Sequence, residues 1–316
     1  MADVLAMAEK FFDETIPRMD DKIDCNAAEI VFMNLIFLSF LACRPAADDD
    51  VDLLPIPAMG NLKIEEVYYA GSPPTEGIDR YYSDQFIQLR NISEHPIELG
   101  GVGIGDIYGL AGEINSGNSP SELAEDVDNV YFGNLWRIPG SAEDVLLAPG
   151  DCIRIAQDAA DHQPYSTLNH LDAHYETYVE SGEDHDDPVV ENLESVFYTA
   201  GYDWLVTVFG PSIVVVAPSA FDAMEIVDQG WTDVLKVPAE DVIDTMEALM
   251  DEDSGDFKRL PSHLDAGFTY TSGTYSGESV RRISADGELQ DTDDSGVDYA
   301  VGEPVADCIW DGSSGS

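Results

Sequence analysis

Short runs of alternating apolar and polar residues, closed off by Gly, Pro and Asn, predict a mainly β chain built from antiparallel ribbons. Ile64–Tyr69, Phe86–Arg90 and the Ile97-Glu98-Leu99 triplet are the clearest runs. A continuous β-branched run, Ile213–Ala217, reads as a central strand buried on both faces. Strands and helices do not alternate regularly, so a doubly wound parallel sheet is not expected.

Taken in order, residues 1–43 read as an N-terminal segment carrying an export signal. Val4, Leu5, Ala8, Phe11 and Phe12 fit a short amphipathic helix. Residues 30–42 (IVFMNLIFLSFLA) are too few to span about 30 Å of hydrocarbon as a helix, but they have the length of a signal-peptide apolar region. Phe40-Leu41-Ala42-Cys43 resembles a lipoprotein-processing box, in which Cys43 becomes the lipidated residue. Two features depart from that pattern: Phe40 stands where Leu is usual, and the preceding stretch is acidic. Translation from Met33 would remove the second departure but leave the apolar stretch short. Residues 44–60 then form an acidic tether.

The β domain is placed at 61–303. Within it, 105–135 reads as a loop with one or two helical turns at Ser121–Val127, and such an insertion is a candidate binding loop. Val145–Leu147 and Ile153–Ile155 read as a hairpin, with Pro149-Gly150 as a type II turn. Residues 157–195 are irregular, with an acidic loop at Ser181–Pro188. Trp204–Phe209 precedes the two-sided strand as a further strand. Residues 240–252 give the best helix, because Val242, Ile243, Met246, Leu249 and Met250 share a face at 3.6 spacing. Residues 304–316 read as a disordered tail.

Several of these blocks together resemble one family. They are IEEVYYAGS (64–72), YSDQFIQLRNISEHPIELGGVGI (82–104), WRIPGSAEDVLLAPGDCIRIAQDAADH (136–162), GPSIVVVAP (210–218), DAGFTYTSGTYSGESVRRI (265–283) and DTDDSGVDY (291–299). They resemble the lamin-tail-like domain, in the variant found in bacterial surface lipoproteins. The resemblance spans roughly residues 60–301 and implies an immunoglobulin-like β-sandwich of the lamin-tail type. It implies no reaction.

Charge narrows the partners. The 316 residues hold 14 Lys+Arg against 63 Asp+Glu, a net charge of −49. Such a chain repels nucleic-acid phosphates and anionic lipid surfaces, so membrane contact is expected only through a lipid at Cys43. It also suits a salty medium, since molar salt shortens the Debye length to about 3 Å. A halophilic domain of this kind should lose stability as salt is removed. Cys25, Cys43, Cys152 and Cys308 fit no zinc ribbon or CxxC motif. Cys152 and Cys308 would pair if the chain end returned to the sheet; a buried free Cys152 is the alternative.

Asp291, Asp293 and Ser295, followed by Gly296, match the front half of a calcium loop. Gly302 stands where the motif's closing Glu belongs, and an Asx turn explains the same residues. Asp161, His162, His170, Asp172, His174 and Glu176 offer zinc-ligand types but without HExxH, so solvated loop histidines are the expectation. The Glu65/Glu66 pair is uninformative in so acidic a chain. There is no GxSxG, phosphate loop or Rossmann fingerprint. Gly101–Gly105 reads as a turn or bulge series. Tyr68, Tyr69, Tyr81, Tyr82, Tyr108, Tyr131 and Trp136 would line a carbohydrate or peptide surface, though strand aromatics more often fill a core. Arg281-Arg282, an adjacent basic pair, is expected to bind carboxylates within the sheet. The function expected is a non-catalytic exported or cell-surface module binding protein or glycan through its loops. An accessory domain of a calcium-dependent extracellular hydrolase, or a structural envelope protein, is the alternative. No cofactor is expected beyond calcium.

Overall fold

The computed structural model describes residues 60–308, except 141–144, 164, 181–183, 200, 202, 205 and 286. The expectations for 1–59, Cys43 and the tether among them, lie outside the described residues, as does the end of the tail from 309.

Two seven-stranded sheets dominate. One contains β1 (Leu62–Tyr68), β2 (Phe86–Asn91), β7 (Cys152–Ala156), β8 (Tyr175–Glu176), β9 (Glu191–Asn192), β15 (Ser279–Arg282) and β18 (Tyr299–Gly302). Its spatial order is β18-β15-β1-β2-β7-β8-β9. The other contains β4 (Gly103–Ile107), β5 (Asn129–Arg137), β10 (Glu194–Tyr198), β11 (Ser212–Val216), β12 (Glu225–Asp228), β13 (Asp233–Pro238) and β14 (Val242–Glu247). Its order is β12-β13-β5-β4-β11-β14, with β10 also on β5. β13 pairs with the first residues of β5 and β10 with the last, so two strands share one edge. Two-stranded ribbons join β3 (Ile97–Glu98) to β6 (Leu146–Leu147), and β16 (Ser284–Ala285) to β17 (Glu288–Leu289). Helix is confined to single turns, α1 (Ala220–Ala223), α2 (Ser295–Asp298) and three 3-10 turns among them. The fold is mainly β and sandwich-like.

The sandwich core explains the alternation in the sequence. Ile64, Val67, Ile87, Leu89, Ile153, Ile155 and Val280 from the first sheet meet Ile104, Trp136, Ile213, Val215 and Met246 from the second. The outer face of the second sheet forms another core from Phe132, Leu135, Val214, Val216, Leu235 and Val237, covered by Phe197, Phe221 and Leu264. Successive residues of β11 thus enter opposite cores, which is why that strand has no polar side. Gly105 of β4 is held to its residue type by closeness: a Cβ there would lie 2.1 Å from the Asn134 carbonyl oxygen.

Several expectations are corrected. Residues 242–247 form a strand, not a helix: Ile213↔Met246 and Val214↔Thr245 place β14 antiparallel to β11. The open edge of β11 satisfies the backbone of β14, and tertiary pairing overrides a 3.6-residue pattern. Residues 129–135, expected as loop, begin β5. Gly103–Gly105 lies in β4, where a turn or bulge series was expected. The Pro149-Gly150 turn forms, with Asp151 N–H donating to Ala148 O (3.1 Å) and Gly150 at φ +78°. Its flanks diverge, however: β6 pairs with β3 and β7 with β2, so there is no hairpin. Trp204–Phe209 is not a strand among its described residues; the Trp204 indole is drawn inward as described below. The 3-10 turn Glu122–Glu125, capped by Ser121, matches the expected helical turn.

Residues 304–308, expected to be disordered, strap across the first sheet. Val305 N–H donates to Glu66 (2.9 Å), Gln88 donates to Val305 O (3.0 Å), and Arg154 donates to Ala306 O. A Cys152–Cys308 disulfide secures the strap, with Cα atoms 5.6 Å apart. Closing a loop of 156 residues is worth about 5 kcal/mol in the chain-entropy account.

Candidate functional site

A pocket of about 670 Å³ opens at one end of the second sheet. Its floor is Asp106 at the end of β4 and Asn134 in β5; Tyr108, Trp231 and Arg259 are among its walls. The floor is prearranged. Asp106 Oδ1 accepts from the Trp204 indole N–H (2.7 Å) and from Asn134 Nδ2 (2.9 Å), and burial raises the Asp106 pKa. Arg259 is held by donating to Gly210 O (2.9 Å) and Ala248 O (2.7 Å). Trp231 stands on the β12–β13 turn. There Gln229 N–H donates to Thr232 O (2.9 Å) and Gly230 N–H donates to Asp228 (2.5 Å). Trp231 is 79% exposed, and its ring lies 5.8 Å from that of Tyr108. An indole held on a tight turn at the mouth of a polar pocket offers an apolar face without much loss of side-chain freedom on binding.

The aromatic residues divide by location. Tyr68, Tyr69 and Trp136 are buried. Tyr131 donates to Asp126 (2.7 Å), Tyr81 contacts His162 and Tyr165, and Tyr108 reaches the pocket. Trp231 was missed because an isolated Trp in a turn carries no periodicity.

The histidines do not lie as solvated loop residues. His170 is fully buried and His162 nearly so, with ring centroids 5.2 Å apart. His170 Nε2 meets Asp84 O at 3.0 Å, and burial pushes its pKa down to about 3. The other candidates around them disperse: Asp172 pairs with Arg154, while Glu176 accepts from Ala159 N–H (2.8 Å) and Asp187 N–H (2.7 Å).

The 291–296 segment forms a turn into α2. Asp291 meets Arg282 (2.9 Å) and Lys63 (2.5 Å). Asp293 sits at φ +55° and its carbonyl accepts from Ala266 N–H (2.6 Å). Ser295 Oγ donates to Asp265 (2.5 Å) and accepts from Glu247 N–H (3.0 Å). Asp291 and Ser295 are thus engaged by protein groups. Arg281 and Arg282 take the expected structural role: Arg281 meets Glu65 (3.0 Å), and Arg282 meets Asp244 (2.8 Å) beneath the Tyr299 ring. Glu65 is also gripped by Arg90 (2.8 Å), and Glu66 accepts from Ser279 (2.6 Å), so the pair serves the sheet.

A different carboxylate group converges. Asp158, Asp184 and Asp203 each bring a carboxylate oxygen to within 4.8 Å of the others, the only such His/Cys/Asp/Glu group among the described residues. Asp158 follows β7, Asp184 lies in the acidic loop, and Asp203 precedes Trp204. Burial, then the neighbouring carboxylates, raises the Asp158 pKa to about 8; the same causes raise Asp203 to about 7. No linear motif marks them, since they lie on three separate segments.

A family model described as a protein of unknown function (DUF4876) matches residues 148–305, half of the chain. The crystal structure of a DUF4876 family protein from Bacteroides thetaiotaomicron VPI-5482 superposes with a TM-score of 0.68 at 27% identity. The alignment covers 78% of this chain and 72% of that one. No curated protein matches the chain. The matched residues include Asp158, Asp184, Asp203, Trp231 and Arg259, whereas Asp106 and Tyr108 precede them. The chain belongs to the DUF4876 family.

Proposed function

We propose that the chain is a non-catalytic module, exported or displayed at the cell surface, that binds a protein or glycan through its loops, with a glycan favoured at the Trp231 pocket. The single observation that carries this reading is the exposed Trp231 ring beside Tyr108 at a polar floor of Asp106 and Asn134. A pyranose presents an apolar C–H face and a rim of hydroxyls. The indole suits the first, and fixed carboxylate and amide groups suit the second. The placement outside the cytoplasm rests on the apolar run 30–42 and on Cys43 as a lipid acceptor. The lamin-tail resemblance supports the same location.

The test is a glycan array probed with the full chain, followed by titration of each hit with the Trp231→Ala variant. Binding should weaken at least about tenfold, roughly 1.4 kcal/mol, while the melting temperature stays unchanged. An array without hits, or a hit bound equally by the variant, sinks the glycan reading. Mass spectrometry of the native N-terminus tests the anchor: a lipid-modified Cys43 is the expected first residue.

A further inference from the structure

The acidic group beyond β7 brings buried carboxylate oxygens together without a described lysine or arginine against any of them. Asp203 is 4% exposed, and its Oδ1 has no hydrogen-bond partner. Oδ1 of Asp158 and Oδ1 of Asp184 are likewise buried and unpartnered. Gln157, 3% exposed, donates from Nε2 to Asp203 Oδ2 and leaves its own Oε1 unpartnered. Buried polar atoms are nearly always satisfied, so four unsatisfied oxygens on adjoining side chains call for an explanation. No lysine or arginine forms an ion pair with the three aspartates among the described residues.

We infer that Asp158, Asp184 and Asp203 form a site for a hard divalent cation of the calcium class. Every available donor is oxygen, with no thiolate or imidazole in the group, and that donor set selects calcium or magnesium over zinc or copper. The size agrees: calcium–oxygen distances of about 2.4 Å place oxygens on opposite sides of one ion about 4.8 Å apart. The 4.8 Å limit on the three aspartates meets that requirement. Calcium takes six to eight oxygens, so water completes the shell. The loop geometry gives the ion a structural consequence. Asp184 Oδ2 accepts from Val179 N–H (2.6 Å), Asp203 O accepts from the Tyr198 hydroxyl (2.8 Å), and Trp204 continues to Asp106. An ion here ties the exit of β7 to the acidic loop and to the segment that ends beneath the pocket. The site does not depend on what the pocket binds.

Calorimetric titration of the full chain, stripped with a chelator and held in high salt to screen loose binding to its acidic surface, decides the matter. The expected result is one calcium per chain, a rise of several degrees in melting temperature, and weaker binding of magnesium. Asp203→Asn and Asp158→Asn should each reduce calcium affinity at least tenfold, whereas Asp251→Asn, elsewhere on the surface, should not. A second readout needs only the wild-type chain: terbium bound at this site should emit on indole excitation, through neighbouring Trp204, and excess calcium should quench it. Absence of both calcium heat and terbium emission overturns the inference, as does equal binding by the Asp203→Asn and Asp251→Asn chains. If the aspartate variants do not fold, terbium emission and its calcium quenching in the wild type decide alone.

Discussion

Two sets of buried carboxylates are treated oppositely. At the β1–β14 junction, Asp244 receives Lys63 (3.5 Å), Arg282 (2.8 Å) and the Ile64 N–H (2.6 Å). Nearby, Glu247 receives Lys258 (2.7 Å), the Arg259 N–H (2.7 Å) and the Ser212 hydroxyl (2.8 Å). On the other flank, Asp158, Asp184 and Asp203 have no such cation. A chain with 14 basic residues against 63 acidic ones places Lys63, Arg90, Lys258, Arg259, Arg281 and Arg282 on the carboxylates that lock its sheets. Among the described residues, Asp84 is held instead by the Tyr68 and Ser72 hydroxyls.

The contrast predicts opposite signs for similar substitutions. Arg282→Met removes the closer of the two basic partners of buried Asp244 and should cost about 3 kcal/mol in chemical denaturation. A loss under about 1 kcal/mol would mean that Asp244 is solvated or protonated instead. Asp203→Asn in chelator-treated protein should be neutral or stabilising by about 1 kcal/mol, because it removes a charge from a repelling group. A large loss would show that the apo cluster is already neutralised.

Acid provides a smaller probe. His170 titrates near 6.5 when unfolded and at about 3 when folded. The unfolded chain therefore binds the extra proton between those values. The contribution of a neutral His170 is complete above pH 6.5 and is lost as pH falls towards 3. The wild-type melting temperature should drop more steeply than that of His170→Gln across that window; parallel curves would refute the assignment. Smallest per residue is the diffuse surface term. Added salt should raise the melting temperature by screening the net charge of −49, and a flat salt response would remove the adaptation to salt.

The sequence was a good guide wherever a residue's surroundings repeat along the chain. Alternation in Phe86–Asn91 marked the buried face of Ile87 and Leu89, and the β-branched run of β11 marked a strand with two covered faces. Val242–Glu247 misled because Ile243 and Met246, spaced as on a helix, enter the same core through a register shift at Ile243. The choice fell to β11, which offered a backbone edge. The zinc-like histidines misled because His162 and His170 are polar by type, but Phe86 and the loop around them supply a buried slot. Neither Trp231 nor the convergent aspartates had a linear signature, for each gains its meaning from segments that meet only on folding.

By itself, then, the order of residues determined the strand-rich class and the Pro149-Gly150 turn, because local sterics and side-chain periodicity act over a few positions. Tertiary structure alone decided which edge each strand joined, that Cys308 returned to Cys152, and that Asp158, Asp184 and Asp203 faced one another. Those outcomes depend on the distance between groups far apart in the chain, and packing of the two sheets sets that distance.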